Sequence, residues 1–163
     1  MSELLTDVAS VLGRIPSGLF ILTAKNADGD ETGLLASWVQ QAGFDPPMVT
    51  VAVNQSRYLN DWLAESPRVA ISVVGESQKQ YLGHFGRGFE PGESAFEGLD
   101  IARTSYGLSV LADCLGWLAG DVTGSLDAGD HRVYAVRVTE SSGGPRLADE
   151  KPWVHLRKNG LGY

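Results

Sequence analysis

Apolar residues along this chain change their spacing several times, and each change marks an element. Leu4, Leu5, Val8, Val11 and Leu12 recur three and four residues apart, which predicts a short amphipathic helix stopping near Gly13. Pro16-Ser17-Gly18 then breaks the chain. Leu19–Lys25 is a short apolar run of strand type, Asn26–Asp30 carries a hairpin signal, and a return strand follows from about Thr32 to Gln41. Phe44-Asp45-Pro46-Pro47 reads as a turn, because two prolines cannot continue a ladder. Met48–Asn54 alternates β-branched and small residues, and so predicts a third strand.

Farther on, Tyr58–Ser66 predicts a short helix stopped by Pro67, Arg68–Val74 a strand, and Ser77–Phe85 a second short helix. Gly86–Gly98 is rich in Gly and Glu and reads as a loop. Leu115–Leu126 and Arg132–Thr139 are strand candidates joined through Ala128-Gly129-Asp130. Ser141–Pro145 predicts a turn, and a short last segment runs from Trp153 to Tyr163. Five to seven strands with short helices at their connections make a mainly β, single-domain chain over residues 1–163. A closed or split barrel solves the edge problem for such a set.

Composition sharpens this picture. Hydrophobic residues make up 43% and charged residues 20%, which is globular, and 20 scattered glycines favour tight turns over a helical bundle. The net charge of −7 and the lack of a Lys/Arg run argue against a nucleic-acid partner. Cys114 is the one cysteine, so no intrachain disulfide or thiolate cage can form, and its apolar neighbours predict burial. No stretch approaches the ~18 apolar residues of a membrane span, and no leader pattern opens the chain, so a cytoplasmic protein is expected. His84, His131 and His155 lie far apart without an acidic cluster, so no metal site is expected. Gly86-Arg87-Gly88-Phe89-Glu90-Pro91-Gly92 has the wrong spacing and context for a nucleotide loop, and no Ser-hydrolase elbow occurs.

Three segments carry candidate chemistry. In Gly33–Gln41 a strand holds a small pair, Ala36-Ser37, at its middle. That is ordinary strand packing, or it is a slot where a flat ring lies against main chain, with peptide N–H groups aimed at the ring's polar edge. At Asn54-Gln55-Ser56-Arg57 a strand stops and a helix starts; this is a plain N-cap, or a phosphate site built from Ser56, Arg57 and free N–H groups. Gly129-Asp130-His131 places a histidine at a turn, either solvent-exposed or at the mouth of the slot.

The order P-S-G-L-F-I-L-T-A, then G-L-L-A-S-W-V-Q-Q-A-G-F-D-P-P-M-V-T-V-A-V-N, then G-D-H closely resembles the flavin reductase-like, FMN-binding split-barrel family. Within it the chain is most similar to the C-terminal flavin reductase module of cyanobacterial flavodiiron proteins, from about Leu12 to the terminal H-L-R-K-N-G-L-G-Y. The resemblance implies a Greek-key split barrel, a homodimer, bound FMN, and hydride transfer from NADH or NADPH to FMN, with electrons passed to a protein or small-molecule acceptor. The other implied reading is an electron-transfer module reduced by a protein partner. Carried over by motif, Leu35, Ala36, Ser37 and Trp38 would line the isoalloxazine, with Gln41 farther along the same stretch. Asn54, Gln55, Ser56 and Arg57 would hold the ribityl phosphate, and His131 would face the nicotinamide. Pro16, Ser17, His84 and Phe85 would make secondary contacts. Trp38 departs from the smaller residue of many members; it would stack on the ring, cover it or fill the core.

Overall fold

A computed structural model of the chain describes residues 3–162. Helix α1 (Glu3–Leu12) precedes a hairpin of β1 (Phe20–Lys25) and β2 (Glu31–Ala36). In the hairpin turn the Asp30 N–H donates to Asn26 Oδ1 at 2.8 Å, and Gly29 has φ +91°. Next come β3 (Val39–Phe44), β4 (Pro47–Asn54), α2 (Leu59–Glu65), β5 (Arg68–Val73) and α3 (Lys79–Gly86). A small pair, β6 (Ile101–Arg103) and β7 (Ser109–Leu111), leads to a long hairpin of β8 (Gly116–Ala128) and β9 (His131–Gly143). The main sheet is antiparallel in the order β2-β1-β5-β8-β9-β4-β3. This is a Greek-key split barrel. The side chain of Leu4, and Tyr163 at the end of the tail motif, lie outside the described residues.

Both faces of the first strands are covered, which is why β1 reads as an unbroken apolar run. One face packs Leu22, Val51, Val53, Val69, Ile71 and Val136 into the barrel interior, plugged by Leu59 and Leu63 of α2. The other packs Ile21 with Val74, Tyr81, Phe85, Phe96 and Leu111 beneath α3 and the loop after it. Cys114 is 1% exposed, and burial pushes its thiol pKa up. No helix among the described residues is long and apolar enough to cross a membrane.

Four elements differ from the sequence expectation, each for a local reason. The return strand expected from Thr32 to Gln41 is two strands: pairing with β1 ends at Ala36, and pairing with β4 begins at Val39. A hydrophobic period cannot register a change of partner. Pro47 opens β4 opposite Phe44, as proline can at the first position of a strand. The turn expected at Ser141–Pro145 starts later, because Ser141, Ser142 and Gly143 still pair with Leu118, Trp117 and Gly116. It is forced at Gly144, where a Cβ would meet the Cys114 carbonyl oxygen at 2.0 Å. The pair β6–β7 has strands of three residues, too short for alternation to reveal.

The C-terminal segment is laced across the barrel. Glu150 accepts hydrogen bonds from Ser77 N (2.8 Å), Ser77 Oγ (2.5 Å) and Arg146 Nη1 (2.8 Å), which hold its pKa at about 2. Gly75 leaves room for that carboxylate; a Cβ there would fall 2.4 Å from Oε1. Trp153 N then donates to Val74 O (3.0 Å), Ser17 and His155 exchange both backbone bonds, and Arg157 N donates to Gly13 O (3.0 Å). Finally Gly160 N donates to Ala9 O at 2.7 Å.

Two outcomes follow. In β8, a Cβ on Gly120 would lie 1.9 Å from Arg137 O, whereas one on Gly124 meets nothing within 4 Å. Gly120→Ala should therefore cost about 3 kcal/mol by forcing β8 from β9, and Gly124→Ala should stay within about 0.5 kcal/mol. Urea unfolding midpoints at constant m compare the two. For Glu150, the folded pKa is depressed, so its contribution is complete above its ordinary value of 4.5 and lost as pH falls through about 2. The stability gap between wild type and Glu150→Gln, read from thermal unfolding at stepped pH, should be constant near neutrality and close across that window.

Candidate functional site

β2 and β3 occupy the two margins of the sheet, yet only Ser37 and Trp38 separate them in the chain. The sheet must roll to bring its margins together, and Trp38 O, accepting from Ala52 N (3.0 Å), carries the β3–β4 pairing back into the link. Beside this junction lies a cavity of about 720 Å³. One wall is Leu34, Leu35, Ala36 and Ser37 at the end of β2, and another is Ala52, Val53 and Asn54 of β4. Leu82, Phe85 and Gly86 of α3 form a third side. The fourth is the C-terminal segment from His155 to Asn159.

The turn after β4 is built around its own hydrogen bonds. Asn54 Oδ1 accepts from Ser56 N (2.9 Å) and Ser56 Oγ (2.7 Å). Gln55 N donates to Asp130 O (2.8 Å), and Gln55 Nε2 donates to the carbonyls of Gly129 (3.0 Å) and His131 (3.3 Å). Underneath, buried Asn60 donates to the carbonyls of Asn54 (2.9 Å) and Arg57 (2.8 Å) and accepts from the Tyr134 hydroxyl (2.7 Å). Asn54 and Arg57 line the cavity; Gln55 and Ser56 are engaged in fixing the turn. The Arg57 guanidinium lies against Gly88, where a Cβ would come within 2.9 Å of Nη1.

His131 is 7% exposed, not a solvent-facing turn residue. Its Nδ1 is 2.7 Å from Asp130 Oδ1, and this bond holds the exposed Asp130 carboxyl below the usual carboxylate range. The His131 ring is 4.7 Å from the Trp38 ring, over which the Arg157 guanidinium stands at 5.0 Å. Trp38 lines a second, shallower groove of about 520 Å³ together with Pro16, Ser17 and Trp153. Groove and cavity share Ser37 and Ala52.

The structure thus brings Leu35, Ala36, Ser37, Asn54, Arg57 and Phe85 to one cavity, with Pro16, Ser17 and Trp38 in the adjoining groove. Gln41 is exposed on β3, opposite Val49, and lines neither. His84 turns toward Ala95 O (2.8 Å) and packs on Phe85 and Phe89. Sequence reasoning missed the C-terminal wall and Leu82 and Gly86. The available signal was charge. In a chain of net charge −7, the Arg and Lys residues lining the cavity are Arg57, Arg157 and Lys158, and no Asp or Glu is among the described lining residues. Such a cavity is apolar along its middle and cationic where polar groups enter, which suits a planar ring with an anionic tail.

Residues 12–160 match the family described as "Flavin reductase like domain". Diflavin flavoprotein A 1 of Synechocystis is 34% identical over 165 residues, covering all of this chain and 28% of that protein. The chain spans little more than a quarter of the length of the curated relatives it matches. Among solved structures, the NADH:FAD oxidoreductase SgcE6 of Streptomyces globisporus superposes with a TM-score of 0.81, at 21% identity, covering 90% of this chain and 86% of that one. The styrene monooxygenase flavin reductase of Pseudomonas putida gives a TM-score of 0.74 at 22% identity, covering 90% and 91%.

Proposed function

The chain belongs to the flavin reductase-like family, and on that premise we propose that it is an NAD(P)H-dependent flavin reductase that holds FMN in the cavity between β2 and β4. The observation that carries this is the lining: a small-residue stretch, Ala36-Ser37, faces a strand end that delivers Arg57, with no carboxylate among the described residues around it. When bound, flavin supplies the chemistry, taking a hydride from reduced nicotinamide and releasing electrons to an acceptor.

The chain's own part is binding and positioning. Leu34, Leu35 and Phe85 exclude water from a ring, and Arg57 pairs with a phosphate. Asn60 holds the turn that aims Arg57. Trp38 lines the groove, where a nicotinamide would approach, and the His131 ring packs against it at 4.7 Å. His131 is therefore a positioning residue, not a proton acceptor.

A homodimer fits the exposed apolar residues Val11, Ile15, Val154, Leu156 and Leu161, which are 51–67% exposed on α1, the turn after it and the C-terminal segment. A cytoplasmic setting fits the lone, buried thiol of Cys114. The second reading, a module reduced by a protein partner, is separated from the first by one experiment.

Purified protein loaded with FMN should bleach anaerobically on adding NADH or NADPH. No bleaching with either, in a protein that binds FMN, would favour the partner-reduced module. FMN should bind more tightly than FAD, and Arg57→Ala should weaken FMN by about 1.5–3 kcal/mol while leaving riboflavin nearly unaffected. For His131→Ala we expect FMN affinity within about threefold and reduction slowed roughly 10-fold, about 1.4 kcal/mol, in stopped-flow traces. His131→Asn, which can still donate to Asp130, should recover part of that rate. An unchanged rate in the alanine variant would reduce His131 to packing.

A further inference from the structure

Helix α2 begins without the usual device for fixing a helix start. Its N-cap position is Tyr58, whose side chain makes no capping hydrogen bond. A helix of seven residues has little stability of its own with which to hold the turn before it. That turn is held from inside instead. Asn60, 8% exposed, sends both amide hydrogens back, to the carbonyls of Asn54 (2.9 Å) and Arg57 (2.8 Å). The same two carbonyls accept from the backbone N–H groups of Arg57 (3.0 Å) and Asn60 (3.1 Å), respectively. Each oxygen therefore has both lone pairs engaged, and neither is left to repel an anion brought to Arg57.

Asn60 can keep this posture only while its own oxygen is satisfied, because a buried amide oxygen without a donor is costly. The donor is Tyr134, 6% exposed on β9, whose hydroxyl is 2.7 Å from Asn60 Oδ1. Tyr134 stands on a strand gripped from both sides, opposite Val51 of β4 and Ser125 of β8. A chain of bonds thus runs from the sheet, through α2, to the turn that delivers Arg57. Neither Asn60 nor Tyr134 is among the described residues lining the cavity or the groove, so each acts on a ligand only through that turn.

We propose that Tyr134 is a positioning residue for phosphate recognition. Acting through Asn60, it presets the turn so that Arg57 meets a phosphate already oriented; this rests on reading the cavity as a flavin site with its phosphate at Arg57. A preset turn has less ordering to do when the ligand arrives, and that advantage goes to the phosphate and not to the ring.

The test is titration of the full chain with FMN and with riboflavin, whose affinity ratio isolates the phosphate. Tyr134→Phe removes one oxygen and should lower the FMN-to-riboflavin ratio by at least about fivefold, with riboflavin itself held within about twofold. Asn60→Asp still accepts from Tyr134 but has no amide hydrogens for the two carbonyls, and should lower the ratio at least as far. The control is Thr23→Val, which removes another buried hydroxyl, bonded to Ser109 O at 2.7 Å, and should leave the ratio within about twofold. In an Arg57→Gln background, Tyr134→Phe should change the ratio by less than about twofold more, since its effect passes through Arg57. A wild type that prefers FMN, with the preference intact in Tyr134→Phe, overturns the role of Tyr134 and leaves the flavin reading standing. Equal losses of FMN and riboflavin in Tyr134→Phe, or an equal fall of the ratio in Thr23→Val, make Tyr134 a structural residue and overturn it too. A wild type that binds FMN no better than riboflavin, or binds neither, removes the phosphate reading itself and the role of Tyr134 with it.

Discussion

The two-residue link between β2 and β3 is the constraint on which the rest of the molecule depends. Those strands are neighbours in the chain but sit at opposite margins of a seven-stranded sheet. From Ala36 to Val39 the link through Ser37 and Trp38 spans at most about 10 Å, so the sheet has to roll and bring its margins together. Continuous ladder bonding stops at Ala36 and resumes with another partner at Val39. The place where the ladder changes partner is where the cavity opens. A fully closed barrel would fill that space with side chains, and an open sheet would have no cavity wall opposite β2.

Charge placement follows from this geometry. The chain carries 20 Asp and Glu against 13 Lys and Arg, and most of its arginines are neutralised locally by carboxylates. At the split, the described lining residues include no Asp or Glu, and Arg57, Arg157 and Lys158 reach it from two segments far apart in sequence. Low-dielectric walls from Leu34, Leu35 and Phe85 make those charges count for more than they would on an open surface. In a negative protein, a concavity lined by cations favours an anion that the rest of the surface repels.

Legibility in the sequence divided along the same line. Strands β1, β4 and β5 and both short helices were readable because periodicity and β-branching report local burial, and Ala36-Ser37 and Arg57 stood out as small and charged breaks in those patterns. The return strand was misread as continuous because alternation persists across a change of partner. The C-terminal wall was invisible for another reason: His155 to Asn159 has no regular element of its own, and its place is decided by Ser17, Gly13 and Ala9, about 140 residues earlier. For His131 the sequence left an exposed turn residue and the mouth of the slot both open, because Gly129 and Asp130 mark a hairpin tip. Trp38, folded against it from the β2–β3 link, is what helps bury it.

The tail also ties the site to stability elsewhere. Glu150 pins the start of the C-terminal segment to Ser77, immediately ahead of α3, and α3 contributes Leu82, Phe85 and Gly86 to the cavity. The same segment goes on to supply His155, Arg157 and Lys158. Two of the four cavity walls are therefore anchored by one carboxylate with three donors, at a point outside the cavity itself. Charge-assisted bonds of this kind are strong and directional, so they fix the entry of both walls together. Loosening Glu150 would free the entry to both walls, while β2 and β4 stayed held by their ladders and the tail beyond it by its backbone bonds to Ser17, Gly13 and Ala9. The site is thus built partly from sheet and partly from helix and tail, and its cations are divided between them: Arg57 on the turn after β4, Arg157 and Lys158 on the tail.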